Sequence, residues 1–198
     1  MLLEQVTADG LPRIKGIEIS VSAEEAVRTA TIDCVILGSG LPVSVGQATV
    51  VAASGDPVLT GYVRDINTGY GADMRTLSIG LVSRTVDYVE CSAEHSTGEW
   101  LDRSIDEIAN ELDTLGIGIE SDGSFPKEPR HKLVQGESPF ASIERRARGR
   151  GVLIHDTEKG RLKLATKPGG RHKGTLKRGV NILPGASASF TERGRHSD

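Results

Sequence analysis

Short runs of alternating apolar and polar residues fill the first half of the chain. The alternation is clear at residues 17–21 and 30–36, and further apolar runs cover about 47–53, 58–65 and 75–82. A side-chain period of two is typical of β-strands that bury one face. Because these runs are short and are separated by turns rich in Gly, Pro, Asn and Asp, the pattern predicts a small antiparallel β-barrel or sandwich.

The pattern changes to a helical period at Ser104. Ser104-Ile105-Asp106-Glu107 has the spacing of a capping box, in which the Ser104 hydroxyl and the Glu107 carboxylate each accept from the other residue's backbone N–H. Apolar residues then recur at helical spacing, and Gly116 is a suitable stop. The apolar stripe consists of Ile105, Ile108, Ala109, Leu112 and Leu115. The sequence therefore predicts an amphipathic helix between Ser104 and Gly116.

A second helix is predicted to begin at Ser138-Pro139, since serine is a good N-cap and proline is favoured at the first helical position. Glycines at positions 149 and 151 would end this helix. The inward-facing residues would be Phe140, Ile143 and Ala147. The polar stretch 121–136 before the helix is expected to be a loop or an irregular edge strand.

These elements divide the chain into three predicted domains. Residues 1–96 would form the small antiparallel β-barrel, and residues 97–175 an α+β domain with two helices and a hairpin at about 152–164. Residues 176–198, after a basic connector, are expected to be the start of a further β domain that the chain does not finish. The expected fold class is therefore mainly β, with an α+β module after the N-terminal barrel.

Composition and charge narrow the class of protein. Aromatic residues make up 4% of the 198 residues, which disfavours binders of nucleic acid or sugar that rely on stacking rings. Residues 1–126 hold 7 Lys/Arg against 20 Asp/Glu, a net charge of −13, whereas residues 127–198 hold 17 against 7, a net charge of +10. This division favours self-association slightly over two merely solvated faces.

Sequence motifs for catalysis or cofactor binding are weak. Gly38-Ser39-Gly40 lacks the spacing of a nucleophile elbow, and Gly69-Tyr70-Gly71 lacks the third glycine of a dinucleotide loop. The five histidines are scattered, the two cysteines are far apart, and no pair of carboxylates stands out. We therefore expect no catalytic residue, cofactor, metal or small-molecule substrate. No apolar stretch approaches membrane-spanning length, so membrane insertion is not expected.

A cluster of arginines is the sharpest charged feature of the sequence. Its members are Arg145, Arg146, Arg148 and Arg150. They could form a solvated helix face, contact an acidic protein neighbour, or contact nucleic acid phosphates. Because aromatic residues are not interspersed among them, the protein neighbour is favoured over nucleic acid, and the four arginines are a candidate interface.

Several motifs follow one another in an order that is specific in combination. They are Thr60-Gly61-Tyr62, a strand ending in residues 85–92, Gly98-Glu99-Trp100, residues 104–109, Gly136-Glu137-Ser138, and residues 143–153 followed by the hairpin to Leu164. In these motifs the chain resembles the baseplate hub protein of Mu-like contractile phage tails, in the superfamily of the late control D proteins and the hub of T-even phages. Weaker similarity covers residues 1–59 and 180–198.

The resemblance implies a β-barrel domain, an α/β domain, and a homotrimer that forms a ring of near-sixfold symmetry. Such a ring joins the tail tube to the central spike, so the implied partners are other copies of the chain and the tube and spike proteins. The implied location is the tail baseplate of the virion, after assembly in the host bacterial cytoplasm. No catalysis belongs to this role.

Two departures and two alternatives accompany the resemblance. The family usually has a Gly-Arg pair where this chain has Leu81-Val82, and family members continue into further β domains, so the chain is expected to be a fragment. The first alternative is a tail-associated cell-wall hydrolase, which is suggested only by the location in a phage tail. The second is the hub or spike base of a phage-tail-like secretion or bacteriocin machine, in which the ring would be held together in the same way.

Overall fold

The computed structural model describes residues 5–22, 25–36, 40–70, 75–167 and residue 177. Its first six strands form one antiparallel sheet in the order β1-β4-β5-β6-β3-β2. The strands are β1 (Val6–Ala8), β2 (Ile14–Ser20), β3 (Thr29–Cys34), β4 (Ala48–Ala53), β5 (Asp56–Tyr70) and β6 (Arg75–Ser83). The two edge strands, β1 and β2, are consecutive in sequence and approach each other, so the sheet curves as half of a barrel.

The alternating pattern of the sequence places one face of this sheet in a core. In β3, Ala30, Ile32 and Cys34 are buried and the residues between them are exposed. Ile32 lies opposite Ile79 of β6, and both side chains are fully buried. The prediction for β2 is wrong at its end, because the strand stops at Ser20 and Val21 is 59% exposed.

The hairpin β5–β6 is longer than predicted. The predicted strands end at about residue 65 and begin again at about residue 75, whereas β5 continues to Tyr70, opposite Arg75, and residues 71–74 are outside the described part. The Thr60-Gly61-Tyr62 motif lies in this hairpin, and the position of Gly61 requires a glycine. A Cβ at that position would collide with the backbone carbonyl of Val82, so only glycine allows the two strands to approach this closely.

The second half of the described chain mixes short helices with two small sheets. Strands β10, β11 and β8 form one sheet, in which β11 pairs antiparallel with β10 and parallel with β8, and β7 pairs antiparallel with β9. The elements are α1 (Val86–Glu90), β7 (Glu99–Ser104), α2 (Ile105–Glu111), β8 (Ile119–Ser121), β9 (Lys127–Lys132), α3 (Pro139–Arg148), β10 (Leu153–Asp156) and β11 (Leu162–Ala165). They enclose a second core. The mainly β fold with an α+β module is confirmed.

Both predicted helices are present, with one corrected end. The capping box of α2 forms as expected, with the backbone N–H of Ser104 donating to Glu107 Oε2 at 2.9 Å. The helix nevertheless ends at Glu111, and Leu115 is 56% exposed instead of completing the apolar stripe. The carboxylate of Asp113 accepts from the backbone N–H groups of Ile117 and Gly118, and this turn ends the helical hydrogen bonding early.

The predicted strand over residues 85–92 is wrong, because this segment contains helix α1. Its local sequence favours a strand, but packing decides otherwise. Tyr88 is buried in the second core, and its hydroxyl donates to the backbone carbonyl of Ala109 in α2 at 2.9 Å. Burial, with the charge of Asp113 as a smaller cause, raises the pKa of Tyr88 well above its usual value. Strands β7 and β9 lie where no strand, or only an irregular one, is predicted from the sequence.

Arg28 joins the first sheet to the hairpin β10–β11. Its Nε donates to Oδ2 of Asp156 at 2.7 Å, and its Nη1 donates to the carbonyl of Val58 at 2.6 Å. Both ionic side chains are buried, with 10% and 1% of their surface exposed. The backbone N–H of Arg28 also donates to the hydroxyl of Ser83 at 3.1 Å. The ion pair therefore fixes the hairpin against the sheet.

The turn of the hairpin β10–β11 lies directly on β5. The Thr60 hydroxyl donates to the carbonyl of Glu158 at 2.9 Å. Gly160 has φ +68°, and a Cβ added there would lie 2.6 Å from the carbonyl oxygen of Thr60. This contact requires glycine for its backbone conformation and for its lack of a side chain. The predicted further β domain from residue 176 lies, apart from residue 177, outside the described residues.

Candidate assembly interface

A basic depression lies between β9 and α3. In β9, His131 points into the core, so Arg130 and Lys132 on either side of it are exposed. In α3, Ile143 and Ala147 are buried, and the arginines between them are exposed. The depression is open, has a volume of about 720 Å³, and is lined by Arg130, Lys132, Arg145 and Arg146. We call these four residues the basic depression.

Helix α3 is well defined at both ends, so it presents its arginines from a fixed position. Ser138 is the N-cap, and its hydroxyl accepts from the backbone N–H of Ala141 at 3.3 Å. Pro139 follows at the first helical position, as predicted. The basic residues of the last turn are favourable near the negative end of the helix dipole.

Hydrogen bonds hold the cations of the basic depression in place. Arg145 donates to the carbonyl of Lys132 at 3.2 Å and to Glu137 Oε1 at 2.9 Å. Arg146 donates to the carbonyl of Arg130 at 3.5 Å, and Arg130 forms an ion pair with Glu99. A side chain that is already ordered loses less entropy when it binds a partner. The depression is therefore partly prepared for an anionic ligand.

Two of these cations lack a carboxylate partner among the described residues. Neither Lys132 nor Arg146 forms an ion pair there, whereas Arg130 and Arg145 each have one. Carboxylate groups are the natural complement of such cations, and an arginine can bind one through two parallel hydrogen bonds. The site can therefore accept acidic side chains without displacing its existing ion pairs.

The structure separates the four predicted arginines into two groups. Arg145 and Arg146 line the basic depression. Arg148 instead pairs with Glu144 at 2.7 Å one turn away, and Arg150 pairs with Glu128 at 2.7 Å and donates to the carbonyl of Pro126 at 2.9 Å. The interface predicted from the sequence does not include the two basic residues of β9, Arg130 and Lys132. Their alternate positions would place both on one face of a strand, so they could have been found if the strand had been predicted.

A buried histidine lies beneath the basic depression. Nε2 of His131 is 2.8 Å from the hydroxyl of Ser142, and its ring packs 5.6 Å from that of Trp100. Burial lowers the pKa of His131, and the positive charges of Arg145 and Arg146 lower it further. Nδ1 of this ring has no hydrogen-bond partner within the described part. The neutral imidazole is therefore the form that this environment favours.

The acidic excess of the chain is concentrated in residues 85–126. Residues 1–84 are nearly balanced, with 6 Lys/Arg and 9 Asp/Glu, whereas residues 85–126 hold 1 basic and 11 acidic residues. These acidic residues lie on and around α1, β7, α2 and β8. The division seen along the sequence is therefore sharpest within the second half of the described chain, between the region of α2 and the region of α3.

Other kinds of site find no support in the described residues. Among residues 5–167, with the gaps given above, no three His, Cys, Asp or Glu side chains are grouped so as to hold a metal ion. No helix in the described ranges is long and apolar enough to cross a membrane. The chemistry that the basic depression can perform is the binding of anions.

Comparison with known proteins shows which proteins this chain resembles. Residues 85–166 match the family model described as the second domain of the gp44-like baseplate hub protein. The baseplate hub protein gp44 of Escherichia phage Mu is 27% identical over 125 residues, a match that covers 59% of this chain and 32% of the phage protein. The resemblance to the hub proteins of Mu-like phages is confirmed.

Solved structures share the fold. A 43 kDa tail protein of prophage MuSo2 from Shewanella oneidensis has a TM-score of 0.71 at 24% identity, covering 83% of this chain and 56% of its own. A tail protein from Neisseria meningitidis has a TM-score of 0.66 at 17% identity, covering 81% and 50%. A type VI secretion component from Escherichia coli reaches 0.60 at 8% identity, covering 85% and 51%. The chain spans between about a third and just over half of the length of the proteins that it matches.

Proposed function

We propose that this chain is a structural part of the baseplate hub of a contractile phage tail. The match of residues 85–166 to the second hub domain is the observation that supports this role most strongly. The curved β sheet before that region and the α+β module within it agree with the order of domains that the resemblance implies. The proposed domains remain a β unit within 1–96, an α+β unit within 97–175, and a further β unit from 176.

The hub role is one of assembly rather than chemistry. In the proposal, three copies form a ring that adapts the tail tube to the central spike, and the ring is held by packing and by complementary charge. The partners are therefore copies of the chain and the tube and spike proteins, and the location is the baseplate of the virion, after assembly in the host cytoplasm. The arginines Arg145, Arg146, Arg148 and Arg150 are the proposed interface, with the first two at its centre.

Immunogold labelling tests the proposed location. Antibodies raised against the chain would be applied to tail particles released by the bacterium that encodes it and imaged by electron microscopy. The proposal predicts gold at the baseplate end of the tail. Label along the sheath or on the capsid, or particles that lack the chain, would contradict it.

A peptidoglycan assay separates the hub from the alternative of a cell-wall hydrolase. The purified chain would be mixed with a suspension of peptidoglycan, and turbidity followed beside a lysozyme control. The hub proposal predicts no clearing, because the ionic carboxylates described above are engaged in ion pairs and backbone contacts instead of converging on a cleft. Clearing that scales with the concentration of the chain would favour the hydrolase.

A further inference from the structure

The basic depression and the acidic surface around α2 are complementary in charge and lie on different elements. The depression has four cations, and in the described chain Lys132 and Arg146 have no ionic partner. Residues 85–126, which contain α2, hold 11 acidic residues and 1 basic residue. Two such surfaces attract each other when they face one another across a contact between two copies of the chain.

The charges also restrict how two copies can meet. A twofold contact centred on the basic depression would bring Lys132 and Arg146 against the same cations of the partner. Like charges in direct contact repel each other. A head-to-tail contact instead places the cations of one copy against the carboxylates of the next, and repeated head-to-tail contacts close into a ring when the rotation permits.

We propose that the basic depression of one copy binds the acidic α2 surface, residues 102–113, of a neighbouring copy in a head-to-tail ring. This inference rests on the proposed function, since it identifies the contact by which the hub ring forms. Nucleic acid is the less favoured ligand, because Trp100 is 3% exposed and the depression offers no ring on which a base could stack.

Carbodiimide cross-linking tests the contact directly. Lys132 is the lysine of the depression, and a carbodiimide joins a lysine amine to a carboxylate only where the two touch. Equal amounts of ¹⁵N-labelled and unlabelled chain would be mixed, cross-linked at low salt and digested. The proposal predicts mixed-isotope peptides that join Lys132 to residues 102–113. Assemblies whose Lys132 joins other segments, or joins none, would overturn it.

Charge reversal gives a second, independent measurement. The double variant Lys132→Glu with Arg146→Glu should weaken self-association at least about tenfold, because both unpaired cations would become repulsive toward the acidic surface. Arg148→Glu is the matched control on the same helix, and it should change association by less than about threefold, since Arg148 already pairs with Glu144 within its own chain. Circular dichroism would establish that each variant is folded.

The outcomes separate this inference from the proposed function. If the wild-type chain assembles and the double variant assembles equally well, the proposed contact is wrong while the hub ring stands. If the wild-type chain does not assemble at any salt concentration, the ring itself fails. If the depression instead binds a short DNA duplex at physiological salt and the double variant abolishes that binding without affecting assembly, the depression is a phosphate site and the inference is overturned.

Discussion

Buried polar residues decide details of this protein that an apolar pattern does not reveal. Arg28 and Asp156 are 128 positions apart, and neither has a neighbour in sequence that suggests an ion pair. His131 lies among charged residues in β9, yet it is 1% exposed because Trp100 and Ser142 enclose it. Charged and polar residues are rarely buried without partners, so Arg28 and His131 are both expected to be exposed when only the sequence is known.

His131 should make stability depend on pH. Its pKa is lowered in the folded state, so below about pH 6.5 the unfolded chain binds a proton that the folded chain does not. Stability is therefore present above that pH and is lost as the pH falls through it. NMR titration of the His131 imidazole, in the folded chain and in the chain unfolded in urea, measures the two pKa values directly. An ordinary or raised pKa for His131 would contradict the expectation.

The ion pair of Arg28 should contribute far more than exposed ion pairs of the same chemistry. Arg28→Ala leaves the buried carboxylate of Asp156 without its partner, and such losses cost about 3–5 kcal/mol. Arg64→Ala is the control, because Arg64 pairs with Glu90 at 2.8 Å but both side chains are half-exposed. That variant should lose less than about 1 kcal/mol. Urea denaturation of both variants checks the difference, and equal losses would refute it.

At the scale of elements, strongly periodic segments were predicted well and short ones were not. The capping box at Ser104 and the Ser-Pro start at Ser138 are local signals, so they located α2 and α3 correctly. Helix α1 has five residues and a strand-like sequence. Its packing against α3 and the hydrogen bond from Tyr88 to Ala109 of α2 are long-range contacts, so neither is visible in the local sequence. The same holds for β7 and β9, whose pairing is not visible in either strand alone.

The capping box of α2 should contribute measurably to stability. Ser104→Ala removes the hydroxyl that accepts from the first turn of α2, and the loss of an N-cap costs about 1 kcal/mol. Ser92→Ala, an exposed serine outside the helices, is the matched control and should be nearly neutral. Thermal unfolding followed by circular dichroism compares the two. A Ser104 variant as stable as the control would show that the box contributes nothing.

Only part of the candidate interface could be predicted from the sequence. The arginines of α3 stand out in sequence because four occur within six positions, but their ion pairs depend on the fold. Glu128 and Glu144 engage two of the arginines, and Arg130 and Lys132 come from a strand that was not recognised. Sequence therefore identified the helix that carries the charge, and the structure identified the surface.

The described chain as a whole contains two hydrophobic cores that specific contacts join. Residues Glu4–Pro168 form one compact unit, with one core under the six-stranded sheet and another among the helices. The joining contacts are the ion pair of Arg28 with Asp156, the hydrogen bond of Thr60 to Glu158, and the close approach of Gly160 to Thr60. An assembly protein benefits from such rigidity, because interfaces on the two parts then keep a fixed geometry.

A substitution at Gly160 tests whether these joining contacts contribute to stability. Gly160→Ala places a Cβ 2.6 Å from the carbonyl of Thr60, in addition to the strain of a positive φ. Gly116→Ala has the same φ of +68° and open space around it, so it isolates the strain alone. The Gly160 variant should lose more stability than the Gly116 variant in chemical denaturation. Equal losses would mean that the hairpin turn can move away from β5 without cost.

We expect this chain to work by assembling with copies of itself. Sedimentation equilibrium of the purified chain, over a range of concentrations at low and high salt, measures this self-association. A trimeric ring gives a species of three times the chain mass at low salt, which dissociates as salt screens the contact between the basic depression and the acidic surface. A single-chain mass at every concentration and every salt would refute self-association.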